Sequence, residues 1–154
     1  MLGRTYENQL CSIARTLEVV GERWTLLIIR DALLGLRRFE EFQDSLGMAR
    51  NVLTNRLSKL VADGLLDRVC YQERPPRYEY RPTARAKDLL TALAALMHWG
   101  DEYAEGSAGP PRIASHAGCG GDVRERLVCT ECGQALGADA VLMLPGPALT
   151  GHPA

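Results

Sequence analysis

Histidine is scarce in this chain: there are three in 154 residues, one of them, His152, close to the end. So few imidazoles leave no credible base for hydrolytic chemistry, and no Gly-rich phosphate loop is present. Long apolar runs are also missing. The longest, Leu89 to Met97, is far too short to span a bilayer, and no secretory n-region is evident. The five cysteines form no even, dense framework, which suits a reducing cytoplasm. Nor does one sign of charge dominate, with 18 basic against 19 acidic residues.

What the chain does have is concentrated between residues 35 and 82. A helix is predicted from about Ala49 to Asp63, with Leu53, Leu57, Leu60 and Ala49 on one face and Val61 close by. The opposite face carries Asn51, Asn55 and Ser58, flanked by Thr54 and Lys59, with Arg50 in the first turn. A merely solvated face usually mixes Glu and Lys, whereas Asn, Thr and Ser are poor helix formers that need another reason to be there. Asn, Ser and Arg pair with base edges in a major groove, and Lys meets phosphate. This is the expected recognition helix. Arg56, about 60° from the core direction, is expected to pack its stem inward and pair with an acid.

The surroundings agree. Ser45-Leu46-Gly47 is short enough to hold a preceding helix, Phe39 to Asp44, at a steep angle, as a helix-turn-helix requires. Asp63-Gly64 stops the recognition helix. Leu65 to Tyr71 and Arg77 to Arg81 then alternate as two strands around Gln72-Glu73-Arg74-Pro75-Pro76, a basic wing whose Arg74 and Arg77 are placed to meet phosphate or a minor groove. Between Leu46 and Lys87, nine basic residues stand against four acidic ones, a local footprint of the kind DNA binding leaves. Arg37 and Arg38, just ahead of the first helix, complete the candidate DNA-binding set. The expected fold is mainly α with a small antiparallel β-hairpin: a winged helix-turn-helix.

Cys11 to Val20 and Glu22 to Leu34 read as supporting helices. After the wing, Thr83 is an expected N-cap for one long helix with an apolar stripe through Leu89, Leu93, Leu96 and Met97, widened by Leu90, Ala94 and Trp99. That is more stripe than a core of about one hundred residues covers, so Leu89, Leu93, Leu96 and Met97 are the expected homodimer contacts. The competing reading folds the helix back on its own core.

Residues 11–100 resemble the HxlR family of bacterial winged helix-turn-helix regulators. The resemblance is carried by Cys11-Ser-Ile-Ala-Arg-Thr-Leu17, Gly21-Glu-Arg-Trp24, Arg38-Phe39-Glu-Glu-Phe42, Val52-Leu-Thr-Asn-Arg-Leu57, Asp63-Gly-Leu65 and Pro75-Pro-Arg-Tyr-Glu-Tyr80. It implies a dimeric, cytoplasmic regulator that binds operators in double-stranded DNA near the genes it controls, as activator or repressor. Two departures stand out: Ala49 where the family usually has a capping serine, and Ala86 where a glycine commonly follows the threonine. The resemblance also singles out Cys11, which some relatives use to sense oxidants or electrophiles; a small buried hydrophobe is the alternative.

After residue 105 the composition changes. Residues 106–111 are a linker by composition, and 145–154 read as a disordered end. Between them, at 112–144, lies His116-x2-Cys119-x9-Cys129-x2-Cys132, whose spacing and following glycines suit a Cys3His structural zinc site in a ribbon-like hairpin with strands at Leu127-Val128 and Ala140 to Met143. Unligated thiols in a loose hairpin are the alternative. Two other function classes stay open at this point. Cys129-Thr-Glu-Cys132 invites a thiol-disulfide reading, though no βαβ unit is present to hold it. A winged domain can also serve as a protein-interaction module without DNA.

Overall fold

The computed structural model describes Tyr6, residues 9–103 and residues 109–150. The chain divides into two compact units, residues 1–93 and 94–154. The boundary falls inside a helix rather than at the composition change after residue 105. Positions 106–108 of the expected linker and 151–154 of the expected disordered end lie outside the described residues.

In the first unit, α1 (Ser12–Val20), α2 (Thr25–Leu33), α3 (Phe39–Leu46) and α4 (Arg50–Ala62) precede a hairpin of β1 (Leu66–Glu73) and β2 (Pro76–Pro82). A four-residue helix, α5 (Ala84–Lys87), follows. The core is aliphatic around one aromatic ring: Ile28, Ile29 and Ala32 of α2, Phe42 of α3, and Leu53, Leu57 and Leu60 of α4 are almost wholly buried, with Leu65 and Leu66 leading into the wing. The spacing of the three α4 leucines puts them on one stripe, so their burial fixes which face of α4 is left outside.

Local signals set the helix ends. α3 runs two residues past the expected Asp44, because Gly47, at φ 60°, supplies the left-handed cap that ends it. Its N-terminus is held by Glu41, whose Oε2 accepts the backbone N–H of Arg37 at 2.7 Å and of Arg38 at 2.9 Å. Those two bonds, first that from Arg37, keep the Glu41 carboxyl below the usual carboxylate range. Gly64, at φ 70°, closes α4 as expected. Ala49 stands at the N-cap of α4 and offers no side-chain cap, the weak start that the missing serine implies.

The wing is tighter than the sequence pattern suggests. Glu73 pairs with Pro76, so the tip shrinks to Arg74 and Pro75, with a register shift between Cys70 and Gln72. The segment before α3 joins it: Tyr80 N–H donates to the Arg37 carbonyl at 2.7 Å and Arg38 bridges Glu79.

The single long helix expected after the wing is broken. Thr83 caps α5 by accepting from the Ala86 N–H, as expected, but α5 ends at Lys87 and a new helix, α6 (Leu90–Tyr103), starts beyond Asp88 and Leu89. No helix among the described residues is long and apolar enough to cross a membrane.

In the second unit, β3 (Leu127–Val128) pairs antiparallel with β4 (Ala135–Leu136). The strand expected at Ala140 to Met143 does not form; the 3-10 turn Ala138–Ala140 occupies its start, because the knuckle after Cys132 brings the chain back to β3 earlier. His98 Nδ1 lies 2.5 Å from Glu125 Oε2. The Glu125 carboxyl is held below its ordinary value by its own backbone N–H and then by that imidazole. Pro147–Thr150 form one helical turn, α7, where composition alone predicts no structure.

Candidate nucleic-acid interface

With Leu53, Leu57 and Leu60 turned inward, α4 leaves Arg50, Asn51, Thr54, Asn55, Ser58 and Lys59 exposed along one ridge. The expected recognition face is therefore at the surface in full. Its members are not equally free. Thr54 Oγ1 donates back to the Arg50 carbonyl at 2.8 Å, Lys59 Nζ lies 2.9 Å from Asp63 Oδ2, and the Arg50 guanidinium sits 4.7 Å from the centre of the Phe39 ring. Asn51, Asn55 and Ser58 have no side-chain partner among the described residues, so amide and hydroxyl remain open to a ligand.

Arg56 behaves as its angle predicts. Its Nη2 lies 2.8 Å from Glu22 Oε1, and the side chain is three-quarters buried. It braces α4 against the segment before α2 and contributes nothing to the ridge.

The basic residues around the ridge separate into two kinds. Arg74 and Arg77 are exposed at and beside the wing tip, and nothing described ties their guanidinium groups down. Arg38 is exposed with its guanidinium 4.9 Å from the Tyr71 ring, an aromatic platform on the same wing. Arg37 departs from its expected role. Its Nη1 donates to the carbonyls of Ala32 and, at 2.8 Å, of Leu36, so it satisfies the free end of α2 and is half-buried there. Arg68 is likewise spent on a ring, 3.6 Å from the centre of Tyr78.

Sequence reasoning missed the residues that hold the two helices together. Asp31 is buried and accepts from Ser45 Oγ at 2.7 Å and from Arg30 Nε at 2.8 Å, linking α2 to α3. A lone carboxylate inside Ile28-Ile29-Arg30-Asp31-Ala32 was the available signal, since such a charge is buried only when paired. Glu41 was also legible, as the glutamate three residues after the N-cap position, Arg38.

The expected dimer contacts divide. Leu89 and Leu93 pack against the core of their own chain, while Leu96 is 55% exposed and Met97 half-buried. The exposed apolar face of α6 is instead Leu96, Trp99 and Tyr103, which lie within about 60° of one another around the helix, while the exposed Leu90 points the opposite way.

Cys11 is exposed and stands at the N-cap of α1 without capping it, so the buried-hydrophobe alternative does not describe it. Cys70 is exposed too, its Sγ 3.1 Å from the Gln72 carbonyl. The four expected metal donors form two pairs: His116 Nδ1 lies 3.1 Å from Cys119 Sγ, and Cys129 Sγ faces the backbone N–H groups of Cys132 and Glu131 and the Cys132 thiol, which together lower its pKa. Among the described residues no three donors converge on one point.

Comparison with known proteins agrees with the geometry. The family model for an HxlR-like helix-turn-helix matches residues 19–108. The chain is 48% identical over 146 residues to an uncharacterised HTH-type transcriptional regulator of Mycobacterium tuberculosis, covering 95% of this chain and 91% of that one. It is similar to the crystal structure of a candidate transcription factor, PA1607, with a TM-score of 0.79 and 34% identity, covering 91% of this chain and 98% of the other. It also resembles the redox regulator HypR in its reduced form, at a TM-score of 0.57 and 29% identity over 60% of this chain and 92% of that one. A mainly helical fold with a basic hairpin, matched over most of the chain to regulators of transcription, identifies the group. The chain belongs to the HxlR-like helix-turn-helix family and is a DNA-binding transcriptional regulator.

Proposed function

We propose that the chain binds its operator as a homodimer, each protomer laying the Asn51, Asn55 and Ser58 ridge of α4 in the major groove with Arg50 and Lys59 at its edges. Arg74 and Arg77 of the wing meet the neighbouring backbone or minor groove, and Arg38 joins them from the start of α3. The observation that carries this reading is the open amide and hydroxyl ridge opposite a wholly buried leucine stripe. Amides read adenine edges in pairs of hydrogen bonds, while guanidinium groups at the margins fix register on phosphate. The exposed Leu96, Trp99 and Tyr103 face of α6 supports the second copy, since apolar surface of this kind favours burial. A twofold dimer would set the two ridges one DNA turn, about 34 Å, apart.

The test is a gel shift with salt titration on the region upstream of the protein's own gene, set against unrelated duplex. Replacing both Asn51 and Asn55 by Ala should reduce the preference for operator by about thirtyfold to twenty-thousandfold, at about 1–3 kcal/mol for each of the two lost base contacts, while leaving non-specific binding in place. Unchanged preference in that variant would remove base reading from α4. No salt-sensitive shift on any duplex would favour a protein-docking role for the winged domain.

A further inference from the structure

We infer that the second unit binds a thiophilic divalent cation of the zinc class through His116, Cys119, Cys129 and Cys132, and that binding draws two preformed half-sites together. This inference is independent of how α4 reads DNA.

The half-sites share one backbone design. In the first, the Gly120 N–H donates to the His116 carbonyl at 2.7 Å and the His116 N–H to the Gly121 carbonyl at 2.8 Å. In the second, the Gly133 N–H donates to the Cys129 carbonyl at 2.9 Å and the Cys129 N–H to the Gln134 carbonyl at 2.9 Å. Donor, two residues, donor, glycine: the same bonds recur at the same offsets. The glycines that permit the turn are left-handed to the same degree, φ 72° at Gly120 and 71° at Gly133, where a side chain would be strained. In the first turn His116 Nδ1 and Cys119 Sγ lie 3.1 Å apart, and the matching bonds of the second turn give Cys129 and Cys132 the same backbone frame.

A second observation asks for a cross-link. Among its described residues, the unit at 94–154 has no buried side chain, yet its turns and the β3–β4 pair are defined. A unit this small without an apolar core needs a disulfide, a metal or a partner to hold a fixed structure. All five cysteines are free. Three thiols and an imidazole are the donors of structural zinc sites and a poor set for magnesium or calcium. Because the pairs are formed but do not converge, ligation and the final folding of the tail are one event.

The experiment uses the full chain, purified under reducing conditions, stripped with a chelator and titrated with Co2+ and then Zn2+. One equivalent of Co2+ should give the intense visible bands of a tetrahedral site and sulfur-to-metal charge transfer, both abolished by one equivalent of Zn2+. Cys129→Ser with Cys132→Ser should lose the spectrum, Cys70→Ser should keep it, and His116→Cys should keep a tetrahedral site with stronger charge transfer. The wild-type titration is decisive even if the double variant misfolds. No uptake by the reduced wild-type chain, a pale octahedral spectrum, or a spectrum lost in Cys70→Ser would overturn the inference.

Discussion

Ser45 Oγ donates to Asp31 Oδ2 at 2.7 Å, joining the end of α3 to a carboxylate buried in α2. The bond matters to DNA reading although neither residue is on the ridge: the angle between α2, α3 and α4 sets how far Asn51 and Asn55 project. Removing Asp31 leaves Arg30 and Ser45 without their acceptor, and the penalty for an unmet partly buried donor adds to the lost bonds. Asp31→Ala is expected to lower stability by about 2–4 kcal/mol, and Ser45→Ala by about 1 kcal/mol, read from urea unfolding curves. Equal small effects from both would mean that the carboxylate is solvated in solution.

The two classes of arginine should part experimentally. Arg74→Ala and Arg77→Ala remove exposed cations, so each should weaken binding to every duplex alike and flatten the slope of log affinity against log salt by about 1, with no change in unfolding. Arg37→Ala should do the reverse: thermal stability falls because the Leu36 carbonyl loses its guanidinium donor and the Ala32 carbonyl keeps only backbone N–H groups, while the salt slope stays put. A flattened slope for Arg37→Ala would return that residue to the DNA contacts.

The Glu41 carboxyl, accepting the Arg37 and Arg38 N–H groups, has a folded pKa below its unfolded one. Such a group contributes stability that is fully present above the unfolded carboxylate pKa and is lost as pH falls through the folded value. Stability at neutral pH should fall by about 1 kcal/mol in Glu41→Ala. The gap between wild type and variant should close in acid, below the ordinary carboxylate range. A gap that persists there would mean that the carboxylate charge is not what holds the helix start.

Trp99→Glu or Leu96→Glu on the exposed face of α6 should shift a homodimer toward monomer in sedimentation experiments. Leu93→Glu should instead destabilise the chain itself, because Leu93 packs on its core. Dimer stability insensitive to both surface changes would place the interface elsewhere.

Periodicity made the ridge legible. Leucines at 53, 57 and 60 could share only one buried stripe, so Asn51, Asn55 and Ser58 had to lie outside, and the same arithmetic sent Arg56 inward to an acid, found at Glu22. The glycine after Asp63 and the threonine at 83 announced their caps because those bonds span only a few residues. Longer-range partners were not legible. Arg68 and Arg74 look alike in sequence, and only the register of the hairpin brings one of them over a ring, that of Tyr78.

The sequence by itself determined the order of elements, the direction of the recognition face and the confinement of basic charge to one region, since each depends on residue type and spacing along a single segment. Tertiary structure decided which arginines remain available, that the post-wing helix breaks at Asp88–Leu89, and that Leu89 and Leu93 serve the chain's own core while Leu96 and Trp99 face outward. Those outcomes depend on which distant groups come within hydrogen-bond or van der Waals reach, and no local pattern encodes that distance.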